Sequence, residues 1–236
     1  MLVTTGIEDA SVDHPPIQAL IFDMDGLLVD SEPLAEAAMT AFLRRYDREP
    51  RAEVAEQLLG RRLPEALAIV REAYELALPV EELIAIYGEM RLAALRGNVR
   101  AMPGAAEIIA FGRASGLRLA LATSGHRTHA DLSLGETGLA GLFDAEATGD
   151  DVERGKPAPD LFLLAASRVG VEPAACVVFE DAPLGVAAAV AAGMRAVAVP
   201  NAKSRSLPFP VAAEVSVPDL TAGIGWLREQ GVERAR

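Results

Sequence analysis

Cysteine is almost missing from this 236-residue chain, and a single one, Cys176, excludes any intramolecular disulfide. It lies in the apolar run Cys176-Val177-Val178-Phe179, which fits an inert buried thiol and a reducing compartment. Histidine is nearly as scarce: His14, His126 and His129 have no cysteine or second clustered ligand beside them, so none is read as a metal ligand. Positive charge is in deficit, with 22 Lys and Arg against 34 Asp and Glu, and the net charge of -12 argues against nucleic acid or an anionic membrane as the main partner. No apolar run approaches the length of a membrane helix. Residues Met1 to Pro16 lack a basic, apolar targeting pattern and read as a loosely ordered leader, so a cytoplasmic location is expected. What the chain does have, 51% hydrophobic and 24% charged residues, suits a packed globule and excludes a disordered one.

The most informative segment is Leu20-Ile21-Phe22-Asp23-Met24-Asp25-Gly26, where an apolar strand runs into two carboxylates spaced i, i+2. Alternate residues of a strand share a face. Asp23 and Asp25 are therefore expected on one side, where like charges repel unless a cation or a proton intervenes. Gly26 lets the backbone turn at the strand's carboxyl end, the place where open α/β sheets hold ligands. Alone, the pattern also reads as a strand ending in an Asx-type turn. Two further strand ends and a loop lysine add to it. Leu117 to Ala122 runs into Thr123-Ser124-Gly125, Lys156 stands between Gly155 and Pro157, and Cys176 to Phe179 runs into Glu180-Asp181. Each has an ordinary alternative as a helix cap or a solvated loop residue.

Apolar strand-like runs alternate with helical stretches, the pattern of βαβ units in a doubly wound, Rossmann-like parallel sheet. Strands are expected at Ala19 to Phe22, Leu117 to Ala122, near Ala145, at Cys176 to Phe179 and at Ala196 to Val199. Helices are expected at Gly104 to Ala114, Pro159 to Val169 and Leu184 to Ala192. Between the first strand and Pro103 only helical periodicity occurs, over Glu32 to Tyr46, Arg51 to Leu59, Pro64 to Leu76 and Val80 to Arg96. That is too much helix for one crossover. The expected organisation is an α/β core of residues 17–31 and 99–236 with an α-helical cap, 32–98, inserted after the first strand.

The segments D-M-D-G-L-L-V-D-S, A-T-S, G-K-P-A-P-D and F-E-D-A-P-L-G, in this order, resemble the haloacid dehalogenase superfamily of phosphotransferases, in its helical-cap subclass. True dehalogenases lack the second aspartate that this chain has at Asp25. The resemblance implies a Mg²⁺-dependent phosphatase. In it Asp23 is the nucleophile that forms an aspartyl-phosphate, and Asp25 is the acid for the leaving oxygen and then the base for water. Thr123 binds a phosphoryl oxygen and Lys156 compensates charge. The metal would be held by Asp23, the Asp25 backbone carbonyl and Asp181, with Glu180 direct or through water.

The leaving group falls to the cap. Gly60-Arg61-Arg62 breaks the helical pattern with two guanidinium groups, and Ser124, Gly125, His126 and Arg127 follow the second strand closely enough to reach a substrate. A charged helix start explains these equally well. Segments around Arg61-Arg62, Met102-Pro103 and Ala122-Thr123 are similar to pseudouridine-5′-phosphatases, and the sister resemblance is to beta-phosphoglucomutases. The mutase pattern has a cap histidine where this chain has Ala35, an arginine at Leu63 and a Ser-Lys-Asn run at Gly125-His126-Arg127. Hydrolysis of a small phosphorylated metabolite, a sugar phosphate or nucleotide-like monophosphate, is therefore expected. A phosphosugar mutase and a phosphate-sensing, non-enzymatic relative are the alternatives. The sequence does not set the oligomeric state, and a monomer is compatible with it.

Overall fold

The computed structural model describes residues 14–235. The leader read at 1–16 lies outside the described residues up to position 13. Strand β1 (Ala19–Phe22) is buried along its whole length and pairs in parallel with β2 (Arg118–Ala122) on one side and β4 (Cys176–Glu180) on the other. Strands buried on both faces read as continuous apolar runs, which is why these three were visible in the sequence. β3 (Ala145–Ala147), β5 (Arg195–Ala198) and the two-residue β6 (Val215–Ser216) complete a parallel sheet of order β3-β2-β1-β4-β5-β6. In this doubly wound order the chain reverses direction between β1 and β4, and the crevice at their carboxyl ends is the expected ligand site.

The two faces of the sheet carry different side chains because successive residues point to opposite sides. Leu20, Phe22, Leu121 and Phe179 pack on one face against Ile108 and Phe111 of α5 (Ala105–Ala114) and Trp226 and Leu227 of α9 (Leu220–Glu229). The other face is lined by Ala19, Ala120, Ala122, Ala196 and Ala198, small residues that meet Phe162 of α7 (Asp160–Val169) and Val186 of α8 (Pro183–Ala191). A third apolar cluster stands apart from the sheet. It joins Phe42 of α1 (Glu32–Arg44), Val54 of α2 (Ala52–Leu58), Leu67 of α3 (Leu63–Ala73) and Leu83 of α4 (Val80–Leu95). Proline in the first turn of α1 and α3 suits these starts, where the amide it lacks has no intrahelical acceptor.

Helix α6 (Arg127–Thr137) follows β2. β6 and α9 were not anticipated, since a two-residue strand carries no periodicity. The start of α9 does have a local signal in Asp219, whose side chain accepts from the Ala222 amide at 2.8 Å.

Candidate active site

Asp23 follows directly on β1, and its amide still donates to Phe179 O at 3.1 Å, so the backbone is held at the β1–β4 crevice. Lys156 is 1% exposed and reaches this point from the loop before α7. Its Nζ donates to Asp23 Oδ1 at 2.5 Å and to Glu180 Oε1 at 2.7 Å. The second oxygen of Glu180 accepts from the Ala182 amide at 2.7 Å, which fixes the carboxylate over the start of α8. Gly185 makes the room, because a Cβ there would sit 1.6 Å from Glu180 Oε1. Asp181 accepts from Asn201 Nδ2 at 2.6 Å. Gly26, at φ +78, is constrained twice: its backbone is left-handed, and a Cβ would lie 2.5 Å from Asn201 Nδ2 and 2.7 Å from Asp181 Oδ2.

Oxygens of Asp23, Glu180 and Asp181 lie within 4.8 Å of one another, all three residues are buried, and one ammonium stands among them. Burial pushes the Asp23 carboxyl up to about 7; the Lys156 charge opposes this and the Glu180 charge adds to it. Asp181 is also raised, by burial first and then by Glu180 and Asp23. Such a trio, all oxygen donors with charge in excess of its one cation, fits a hard divalent ion.

Asp25 departs from the alternation argument. The chain leaves the strand after Phe22, the Met24 carbonyl accepts from the amides of Leu28 (2.9 Å) and Val29 (3.0 Å), and this tight turn carries the Asp25 carboxylate away from the trio. Its Oδ1 accepts from Ser31 Oγ at 2.6 Å and from Arg91 Nη2 at 3.2 Å, and His129 Nε2 lies 3.2 Å away. Burial alone would raise this carboxyl, but His129 and Arg91 outweigh it and hold it well below the usual carboxylate range. Burial and Arg91 push His129 itself towards the neutral form, which leaves Arg91 as the lasting positive charge on Asp25.

The remaining residues singled out in the sequence divide. Thr123 is fully buried at the end of β2, where its Oγ1 accepts from the Gly125 amide at 3.0 Å and keeps its own proton for another acceptor. Ser124 Oγ donates to Gly60 O at 2.8 Å, and so joins the β2 loop to the α2–α3 turn. Arg61 donates to Gln57 O at 2.8 Å. Arg62 donates to Glu65 Oε1 and to the carbonyls of Val152 and Glu153, each at 2.6 Å, so its guanidinium bridges α3 to the loop before Lys156. His126 Nδ1 meets Asp150, and Arg127 donates to Glu146 Oε2 at 2.5 Å.

The haloacid dehalogenase-like hydrolase family matches residues 17–193 of this chain, a span that holds Asp23, Asp25, Thr123, Lys156, Glu180 and Asp181. The chain belongs to this family. A Drosophila melanogaster protein named "Probable pseudouridine-5′-phosphatase" is 38% identical over 190 residues, which cover 77% of this chain and 80% of that protein. A phosphorylated carbohydrates phosphatase of Thermotoga maritima is 34% identical over 178 residues, 75% of this chain and 82% of its own. Among solved structures, CbbY from Rhodobacter sphaeroides in complex with phosphate superposes with a TM-score of 0.80 at 27% identity, covering 89% of this chain and 99% of that one.

For a haloacid dehalogenase-like hydrolase, three residues around the site were not read from the sequence as site residues. Arg91 had a signal: Leu83, Tyr87 and Leu95 of α4 are buried at spacing four, and Arg91 occupies the remaining place in that stripe. A guanidinium on a buried helix face needs a partner, and Asp25 is that partner. His129 occupies the first turn of α6 and is buried with Ala130, Ser133 and Leu134. Asn201 follows β5 at the same carboxyl edge as the other site residues, but an asparagine in a proline-containing loop has many ordinary readings.

Proposed function

We propose that this hydrolase is a Mg²⁺-dependent phosphatase for small phosphorylated metabolites that works through an aspartyl-phosphate on Asp23. The observation that supports it most is the convergence of Asp23, Lys156, Glu180 and Asp181 from three separate strand ends or loops onto one buried, negatively charged point. Helices α1 to α4 would form the cap over that point, with Arg91 as its contact to Asp25. Asp23 and Asp181, with the Asp25 backbone carbonyl, would hold Mg²⁺; when bound, the ion supplies positive charge to the phosphoryl oxygens.

In the first half-reaction an Asp23 oxygen attacks phosphorus, the bond to the leaving oxygen breaks, and Asp25 gives that oxygen a proton. Lys156 holds Asp23 in place and offsets its charge, and Thr123 has its hydroxyl proton free to donate to a phosphoryl oxygen. In the second, Asp25 takes a proton from water, the water oxygen bonds to phosphorus and the bond to Asp23 breaks. Asp25 is held ionised here, which is the form needed for this second step. To act as an acid first, it must give up Arg91 and His129 for the substrate, whose own negative charge raises the carboxyl. A mutase would need a second anion site in the cap, for which Arg61 and Arg62 are the candidates: Arg62 has its donors on Glu65 Oε1 and the carbonyls of Val152 and Glu153, and Arg61 Nε donates to Gln57 O.

The test is release of inorganic phosphate from a panel of sugar, polyol and nucleoside monophosphates, with Mg²⁺ and with a chelator. Release that requires Mg²⁺ is the expected result. Equal release in chelator, or isomerisation of beta-glucose 1-phosphate greatly outrunning phosphate release, would contradict the proposal.

A further inference from the structure

Each carboxylate of the buried trio already gives oxygen to a protein donor. Asp23 Oδ1 accepts from Lys156 Nζ at 2.5 Å, and Glu180 uses both oxygens, Oε1 on the same ammonium and Oε2 on the Ala182 amide. Asp181 Oδ2 accepts from Asn201 Nδ2 at 2.6 Å. Among the described residues this leaves Asp23 Oδ2 and Asp181 Oδ1 as the oxygens of the trio without a protein donor. A carboxylate with one free oxygen coordinates through that oxygen alone. This separates cations of the same charge. Mg²⁺ takes six ligands in a tight octahedron at about 2.0–2.1 Å, several of them water, whereas Ca²⁺ takes about 6–8 oxygens at about 2.3–2.6 Å and readily uses both oxygens of a carboxylate.

The donor on Asp181 is fixed from behind. Asn201 Oδ1 accepts from the Lys203 amide at 2.8 Å and from the Ser204 amide at 3.2 Å, so the side-chain amide cannot turn over and its nitrogen must face the site. The backbone amide of Asn201 donates to Oγ of the fully buried Ser204 at 3.1 Å. The second Nδ2 proton goes to Gly26 O at 3.1 Å, one residue beyond the Asp25 carbonyl assigned to the ion. One side chain therefore ties the turn after β1 to the end of β4, the two segments that would carry the ion's ligands. An outer group that orients a ligating side chain is commonly worth about 10–100-fold in metal affinity.

We propose that Asn201 is a positioning residue that holds Asp181 to one-oxygen coordination and so sets the preference of the site for Mg²⁺ over Ca²⁺. This rests on the metal-dependent reading above and deepens it by naming the residue that tunes the metal site. The test titrates MgCl₂ or CaCl₂, at matched ionic strength, into chelator-treated and dialysed protein and follows the rise in unfolding midpoint for the parent, Asn201→Ala, Asn201→Leu and Ser204→Ala. The midpoint of each protein without metal is its own baseline and verifies folding. Asn201→Leu keeps the shape of the side chain and leaves no room for a water to stand in for the amide. In both Asn201 variants Mg²⁺ affinity falls about 10–100-fold and Ca²⁺ affinity changes far less, so the ratio moves at least about tenfold towards Ca²⁺. Ser204→Ala disturbs the same loop but keeps the Nδ2 donor, and its ratio stays near that of the parent. A ratio unchanged in the Asn201 variants, equal weakening of both ions, or the same shift in Ser204→Ala overturns the inference and spares the phosphatase reading. No rise with Mg²⁺ in the parent contradicts the metal-dependent reading and the inference together.

Discussion

Lys156 is the only cation within hydrogen-bonding reach of Asp23 and Glu180 among the described residues, so replacing it exposes the cost of the acidic cluster directly. Lys156→Met keeps the length of the stem and its place against Phe162, whose ring centroid is 4.8 Å from Nζ, while deleting the charge. Removing one partner from a buried ion pair typically costs about 3–5 kcal/mol, because the other partner remains buried and unpaired. Total stabilities are about 5–15 kcal/mol, so the loss is a large share of the whole. Asp23, already raised to about 7 by burial, sets the pH dependence. Without Lys156 its carboxyl rises further, the native state holds a proton that the unfolded state has lost, and stability falls as pH rises through that window. The expected loss is therefore close to the full range at about pH 8.5 and smaller at about pH 6. Urea denaturation of both proteins in chelator, at the two pH values, measures it. A loss under about 1 kcal/mol at the higher pH, or one that does not change with pH, would refute the reasoning.

Asp181→Asn should stabilise the metal-free protein at about pH 8, because it removes a carboxylate whose raised pKa makes the native state less favourable as pH increases, and the gain should vanish in acid. The same variant should lose the stabilisation that added Mg²⁺ gives the parent, measured as a shift in unfolding midpoint. Gly185→Ala places a Cβ 1.6 Å from Glu180 Oε1, so Glu180 must swing away and Lys156 loses one partner. Activity should fall at least about tenfold with the helix content of the circular dichroism spectrum preserved. Asp25→Asn should lower turnover by about 10² to 10⁴, with the larger loss on esters of poorly acidic alcohols than on p-nitrophenyl phosphate, whose leaving group needs less protonation.

The legibility of the sequence followed burial. β1, β2 and β4 are covered on both faces, so their apolar runs end within a residue of where the strands do, and the polar residues after them stood out by contrast. The four helices between β1 and α5 were visible from their 3.6-residue spacing, since each buries one stripe in a shared apolar cluster. The direction of Asp25 was not legible. Alternation holds only while the chain remains a strand, and the turn from Met24 to Val29 begins one residue earlier than the argument needs. Arg91 and His129 meet Asp25, and Asn201 meets the Gly26 carbonyl, across more than sixty residues of sequence, and a lone polar residue on a helix or loop does not announce a partner so distant. A glycine followed by two arginines reads as a substrate loop, and what the sequence does not show is the protein contacts they also make: Arg61 Nε donates to Gln57 O, and Arg62 donates to Glu65 Oε1 and the carbonyls of Val152 and Glu153.

The central claim is that the phosphoryl group passes through Asp23. Mixing enzyme in excess with a hydrolysed ester and Mg²⁺, quenching in acid on the millisecond scale and mapping the peptides by mass spectrometry tests it most directly. The account predicts a phosphorylated peptide containing Asp23, reducible by borohydride at that residue and missing from Asp23→Asn, which should also have lost turnover. Rapid phosphate release with no label on Asp23 at any quench time, or turnover by Asp23→Asn close to that of the parent, would contradict it.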